Sequence, residues 1–375
     1  MKKLLFISVK YSGRDRDPYL TDDLVHEMHK QGHQITVIAY GDKHISRARD
    51  GLTEYVLRVP PSPKILKYFA LWPALFLRVS STLVAHAAYD QIIVTAPLSV
   101  LWPAALAVRF ARSLQKTVVI FDIYPAHQVR IGALPRRAES LLKWLEIFLL
   151  RGFTEVTAMG QNNEQYIRDY YFRGTGNMPI KIISLWARMN RFASSVCYSG
   201  GPVKIVFGGQ IIKGRSIDRL VEFLGKVRQK GSDIELTFFS WGPHYEELIH
   251  KYSQLHWIYF NSRVDREEYW KLLPDYHVGA IVTDETVNLP AFPSKIVDYL
   301  SAGLYCFCLV EPASELYTTL GGYRRVYINS FDFSDSGLQS ASDFFHSIGN
   351  NCNDPELLAL ERVFSVSTAV ARVLG

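Results

Sequence analysis

Cysteine is scarce. Only Cys197, Cys306, Cys308 and Cys352 occur in 375 residues. None stands at zinc-ligand spacing, and four are too few for a disulfide framework. A reducing cytosol suits that usage. Histidine forms no cluster at ligand spacing, so no metal site is expected. Glycine is missing where a dinucleotide enzyme needs it. The loop after the first apolar run carries Gly13 but not three spaced glycines, which argues against a nicotinamide or flavin cofactor. The longest uncharged run, 91–108, is interrupted by Pro97 and Pro103. It reads as a buried strand, a turn and a buried helix, not a membrane span. The apolar run 4–9 is too short for a signal peptide, and no small-residue cleavage site follows before Lys10 and Arg14. It reads as a first strand.

Hydrophobic residues make up 48% of the chain and charged residues 21%, the balance of a folded protein. The length exceeds one common core, so two domains are expected. Strand, loop, helix and strand follow one another over 3–9, 20–28 and 34–39. Further strands fall at 54–59, 92–95, 117–121, 155–158 and 181–184. After the flexible Ser199-Gly200-Gly201-Pro202 the alternation restarts at 204–207 and runs through 277–282. This is the pattern of doubly wound α/β domains. We assign a first Rossmann-like domain to 1–190, a second to 202–360, and a terminal helix to 361–375 that crosses back onto the first.

The net charge of +6 hides an asymmetry. Residues 1–200 carry 26 Lys+Arg and 15 Asp+Glu, or +11; the remaining 16 and 21 give −5. A basic half suits a polyanionic surface. Within it, 62–89 and 136–153 interleave aromatic and aliphatic bulk with lysine and arginine, as an interface-lying helix does. Their bland reading is helices packed on a sheet. No nucleic-acid module is recognisable, so a nucleic-acid partner is not expected. The predicted location is the cytoplasm, peripherally on the inner face of the membrane.

The stretch 293–303 reads as a short helix feeding a core strand, with Ser294 as N-cap and Gly303 as stop. Its first-turn amides and Lys295 can hold an anion, and Asp298 lies one turn on. Asp122 stands past the strand 117–121, where open α/β sheets bind ligands.

The order of these pieces resembles the two-domain GT-B glycosyltransferases, in particular the retaining glycosyltransferase family 4 of bacterial surface-polysaccharide synthesis. The matching residues are Phe207-Gly208-Gly209 with Lys213-Gly214, Trp241-Gly242-Pro243, the segment 258–272, and Pro293-Ser294-Lys295 through Ala302-Gly303. Gly32-His33, Thr95-Ala96-Pro97-Leu98 and Asp122-Ile123-Tyr124-Pro125 match in the first half. The resemblance implies two Rossmann-like domains facing a cleft. It implies a nucleotide-sugar donor, a UDP-sugar ahead of a GDP-sugar, a lipid-linked or glycan acceptor, and no metal or other cofactor. Lys213, with Arg215, and Lys295 would hold the diphosphate beside Gly209 and the Ser294 amide. Asp298 would bind the ribose. Trp241-Gly242 and Arg263-Val264 would flank the base, and the loop 283–292, with Glu285, would face the sugar. Asp122 would orient the acceptor. Two features depart from the family, the paired glutamates and an arginine. Of its paired glutamates the later falls at Asp298 and the earlier at Ala291, and its usual arginine appears as Gln210. These departures keep two alternatives open: a non-catalytic partner of the same fold, and a nucleotide-sugar epimerase.

Overall fold

The computed structural model describes all residues except 14–18, 61–68, 86–88, 175–177, 187–197, 199, 213–214 and 350–354. Contacts divide the chain into two compact units, Met1–Arg188 with Ser365–Gly375, and Met189–Phe364.

The first unit holds β1 (Lys3–Ser8), β2 (Gln34–Gly41), β3 (Ile45–Arg49), β4 (Leu52–Arg58), β5 (Gln91–Thr95), β6 (Gln115–Val119), β7 (Glu155–Ala158) and β8 (Ile180–Ile182). They form one sheet in the order β3-β4-β2-β1-β5-β6-β7-β8. Only β3 runs antiparallel to its neighbour. Leu4 to Ile7 are fully buried, as expected for a parallel strand covered on both faces. The edge strand β3 was not anticipated. Its sequence, ISRAR, is charged and largely exposed, as edge strands are when they must resist further pairing.

The helix expected over 361–374 is in fact two. Pro355–Val363 belongs to the second unit and Val366–Leu374 to the first. Ser365 separates them. Its backbone is extended, at φ −63° and ψ 126°, and its hydroxyl accepts the Thr368 amide, an N-cap that starts a new helix. The last helix is tied down by Gln91, whose Nε2 donates to the Val373 carbonyl at 2.8 Å, and by Arg372, which donates to the Ile182 carbonyl at 3.3 Å.

The second unit holds β9 (Val203–Gln210), β10 (Ile234–Trp241), β11 (Ile258–Ser262), β12 (Val278–Val282), β13 (Tyr305–Leu309) and β14 (Val326–Asn329). The order is β11-β10-β9-β12-β13-β14, with every pair parallel. Strand order reverses between β9 and β12, which share only the pairs Val278–Ile205 and Gly279–Val206. Ligands of such sheets bind outside the carboxyl ends at that reversal. The segment after β9 and the loop 283–292 after β12 flank it. Both Cys306 and Cys308 are fully buried in β13. As residues i and i+2 of the strand they share one face, and that face is core.

Candidate functional site

The carboxyl end of β9 is closely packed. Strand β9 runs three residues further than expected, so Gly208, Gly209 and Gln210 lie within it. A Cβ on Gly208 would overlap the Tyr269 phenol. The Gly208 amide donates to the Tyr299 hydroxyl at 3.1 Å, and the two tyrosine hydroxyls lie 3.2 Å apart. Tyr299 belongs to the helix Lys295–Ser301, and its ring occupies the space a Cβ on Gly279 would need. Gly279 thus lets this helix lie directly on β12, and Gly208 makes room on β9 for Tyr269 of the helix Arg266–Leu272. A Cβ on Gly209 would stand 3.1 Å from Arg215 Nη1, so the guanidinium lies over the glycine backbone. Lys213 lies outside the described residues.

The next strand end carries an aromatic–cation pair. Trp241 closes β10, and the Arg263 guanidinium lies over its ring at 4.6 Å. Such a contact at an exposed site contributes about 0.5–1 kcal/mol. Gly242 has φ +131°, and a Cβ there would overlap the Ile211 carbonyl. The Ile211 amide in turn donates to the Trp241 carbonyl at 2.7 Å. Glycine is therefore required where this turn crosses the segment after β9. Val264 follows Arg263 ahead of the helix Arg266–Leu272, which Asp265 caps by accepting the Glu268 amide at 2.8 Å.

The start of the helix Lys295–Ser301 differs from expectation in two ways. Ser294 is itself helical, at φ −64° and ψ −22°, and its side chain caps nothing. Asp298 is not an open acceptor. Its Oδ1 accepts from Arg266 Nη2 at 3.2 Å and from Trp270 Nε1 at 3.3 Å, and its Oδ2 from Lys295 Nζ at 3.3 Å. The Asp298 side chain is 9% exposed against 38% for Lys295, so an arriving anion meets the lysine first. Lys295 also lies 4.9 Å from the centre of the Tyr269 ring. The carboxylate thus positions two cations. Arg266 and Trp270 were missed because they stand about 30 residues earlier. The only local signal was their spacing of four on one helix, which places them on a common face.

The loop 283–292 begins and ends on polar anchors. Asp284 Oδ1 accepts from the Thr286 amide at 2.8 Å and from its hydroxyl at 2.5 Å. Glu285 faces Arg219 Nε at 3.6 Å on the surface. Ala291 offers no side-chain donor or acceptor, but its carbonyl accepts from the Ser314 hydroxyl and the Glu315 amide, each at 3.1 Å.

In the first unit Asp122 is exposed, three residues beyond β6. Its neighbour Phe121 packs against Trp186, ring centres 5.5 Å apart. A second carboxyl group, Glu146, escaped the sequence reading. It lies in the helix Arg136–Leu150 and is only 2% exposed. It accepts from the Leu98 amide at 3.0 Å and the Ser99 amide at 2.7 Å, which fixes the turn after β5. Burial pushes its proton affinity up to about 7 against that hydrogen bonding.

The two basic, apolar stretches are partly described. The helix Trp72–Ala85 leaves Phe76, Leu77 and Val84 exposed; residues 62–68 and 86–88 lie outside the described residues. The helix Arg136–Leu150 exposes Leu141, Trp144 and Phe148, a stripe at spacings of three and four. Lys143 on that helix lies over the Tyr170 ring at 4.1 Å. Among the described residues no helix is long and apolar enough to cross a membrane. Nor does any group of three or more His, Cys, Asp or Glu there gather as metal ligands. The sequence reading of no metal set passed over Asp15-Arg16-Asp17, which lies outside the described residues.

Residues 20–178 match the family described as "Glycosyl transferase 4-like domain". A sequence search of curated proteins gave no significant match. Solved structures show the fold. Sucrose-phosphate synthase from Thermosynechococcus elongatus superposes with a TM-score of 0.69 at 13% identity, covering 99% of this chain and 97% of that one. HepE from Anabaena, solved in complex with UDP-glucose, gives 0.64 at 13% identity over 100% and 98%. The lipopolysaccharide outer core galactosyltransferase WaaB, in its apo form, gives 0.56 at 10% identity over 99% and 94%. With a glycosyl transferase 4-like domain matched over residues 20–178 and two parallel-dominated α/β sheets like those of these neighbours, the chain has the GT-B fold and resembles family 4.

Proposed function

We propose that the chain moves a sugar from a nucleoside diphosphate sugar, a UDP-sugar in preference to a GDP-sugar, onto a lipid-linked or glycan acceptor. The transfer retains anomeric configuration, serves surface-glycan assembly and takes place on the inner face of a membrane. The observation that carries this reading is the cluster at the strand reversal of the second unit. Arg215 over Gly209, Arg263 over Trp241, and Lys295 with Arg266 on Asp298 line neighbouring strand ends.

Breaking a sugar–phosphate bond builds negative charge on the leaving diphosphate. Fixed cations at that point stabilise the transition state more than the ground state. Lys295 and Arg215, with Lys213, serve this role without a metal ion. Trp241 offers a face for a flat base, and Arg263 braces it from the other side. Asp122 orients the acceptor hydroxyl. The exposed apolar stripes beside basic residues in the first unit hold the protein against anionic lipid, where a lipid-linked acceptor resides. The HepE complex contains UDP-glucose, which supports uridine as the base.

The test is transfer of label. Purified protein is incubated with a bacterial lipid extract and radiolabelled UDP-glucose, UDP-galactose, UDP-N-acetylglucosamine or GDP-mannose. Label from one UDP-sugar should enter the organic phase and depend on Asp122. Transfer from GDP-mannose alone would contradict the choice of base. Nucleotide-sugar binding without transfer to any acceptor would favour the non-catalytic partner suggested by Ala291 and Gln210.

A further inference from the structure

Glu311 lies just past β13 and is 1% exposed. Its Oε2 accepts a hydrogen bond from the Thr283 hydroxyl, and its own amide approaches that hydroxyl at 3.4 Å. Thr283 opens the loop 283–292, and its amide donates to the Leu309 carbonyl at 3.1 Å. The loop's other end returns to the same turn, because Ser314 and Glu315 hold the Ala291 carbonyl. Burial, and Asp284 to a smaller extent, raise the proton affinity of the Glu311 carboxyl group. Its second oxygen, Oε1, is buried without a partner among the described residues. An unpaired buried carboxyl oxygen is destabilising, and a residue serving stability alone does not need one.

We propose that Glu311 is the positioning residue of the donor-sugar loop. Its carboxyl group fixes Thr283 where the loop leaves β12, and the turn that Glu311 opens holds the Ala291 carbonyl where the loop returns. The loop then stands at a set height over the strand reversal and meets the sugar but not the nucleotide. Ala291 has no side chain able to do this, and the neighbouring strand supplies the carboxyl group instead. The inference rests on the proposed donor site.

The test separates sugar from nucleotide. Affinities for UDP and for UDP-glucose, UDP-galactose and UDP-N-acetylglucosamine are measured by calorimetry on wild type, Glu311→Ala, Glu311→Gln and Thr283→Val. Wild type should bind one UDP-sugar more tightly than UDP. Glu311→Ala and Thr283→Val should each leave UDP affinity within about twofold and lower affinity for that UDP-sugar about tenfold, the weight of one charge-assisted hydrogen bond. Glu311→Gln keeps an acceptor for Thr283 and should recover most of the loss. Equal losses for UDP and UDP-sugar, or no loss in either variant, would overturn the proposal. If Glu311→Ala fails to fold, Thr283→Val decides alone. Wild type that bound UDP but no UDP-sugar would overturn the loop assignment, whereas wild type that bound neither would remove the donor site beneath it.

Discussion

Glu146 carries a consequence for stability that its helix alone would not suggest. In water a glutamate titrates near 4.5, and here burial raises that to about 7. The folded chain therefore binds this proton more tightly than the unfolded chain. Its stability is full below about pH 4.5 and falls as pH rises through about 7, by about 3 kcal/mol. Glu146→Gln removes the titration. Denaturant midpoints measured between pH 5 and pH 8 should fall more steeply in wild type than in the variant; equal slopes would contradict the assignment. Other positions in the second unit were legible only through the family resemblance. Trp241-Gly242 and Arg263 were expected beside one base, and the structure stacks Arg263 on Trp241. The partners of Asp298 were not readable, because Arg266 and Trp270 reach it from another helix and only packing reveals them.

Elements built on continuous apolar runs were legible. Strands β1, β2, β5, β7 and β12 fall within two residues of expectation, because a buried parallel strand has few polar interruptions. Elements without that signature were missed. Strand β3 is charged, and the helix Tyr245–Tyr252 contains Glu246, Glu247, His250 and Lys251 with only Tyr245 and Leu248 buried. The terminal helix was read as continuous because its apolar residues keep helical spacing across Ser365, whose capping role depends on an extended backbone that spacing cannot show. The helix Arg136–Leu150 makes a prediction of its own. Leu149 and Leu150 face the core, while Leu141, Trp144 and Phe148 face outward in the unit that holds most of the basic excess. Replacing those three with serine should leave the fold intact and abolish sedimentation with vesicles of phosphatidylglycerol and phosphatidylethanolamine. Unchanged sedimentation would assign the stripe to something other than a lipid surface.

At the scale of the whole molecule, the chain divides into two compact units, each built on a parallel-dominated sheet. The first carries the basic excess, the exposed apolar helices and Asp122. The second carries the cations at its strand reversal. The GT-B architecture was legible in the order of the pieces, since the alternation and its restart after 202 suggest two doubly wound domains and the stretch 293–303 falls where the family resemblance expects it. The fine structure of the site was not, because it depends on which side chains meet across strand ends. The central claim is that the second unit binds a nucleoside diphosphate through Lys295, and calorimetric titration of wild type and Lys295→Ala with UDP and GDP tests it most directly. The account predicts that UDP binds wild type more tightly than GDP does. It also predicts that Lys295→Ala weakens UDP binding about 10- to 100-fold, the range for loss of one charge-assisted phosphate contact. Equal UDP affinity in the two proteins, or no binding of either nucleotide to wild type, would contradict it.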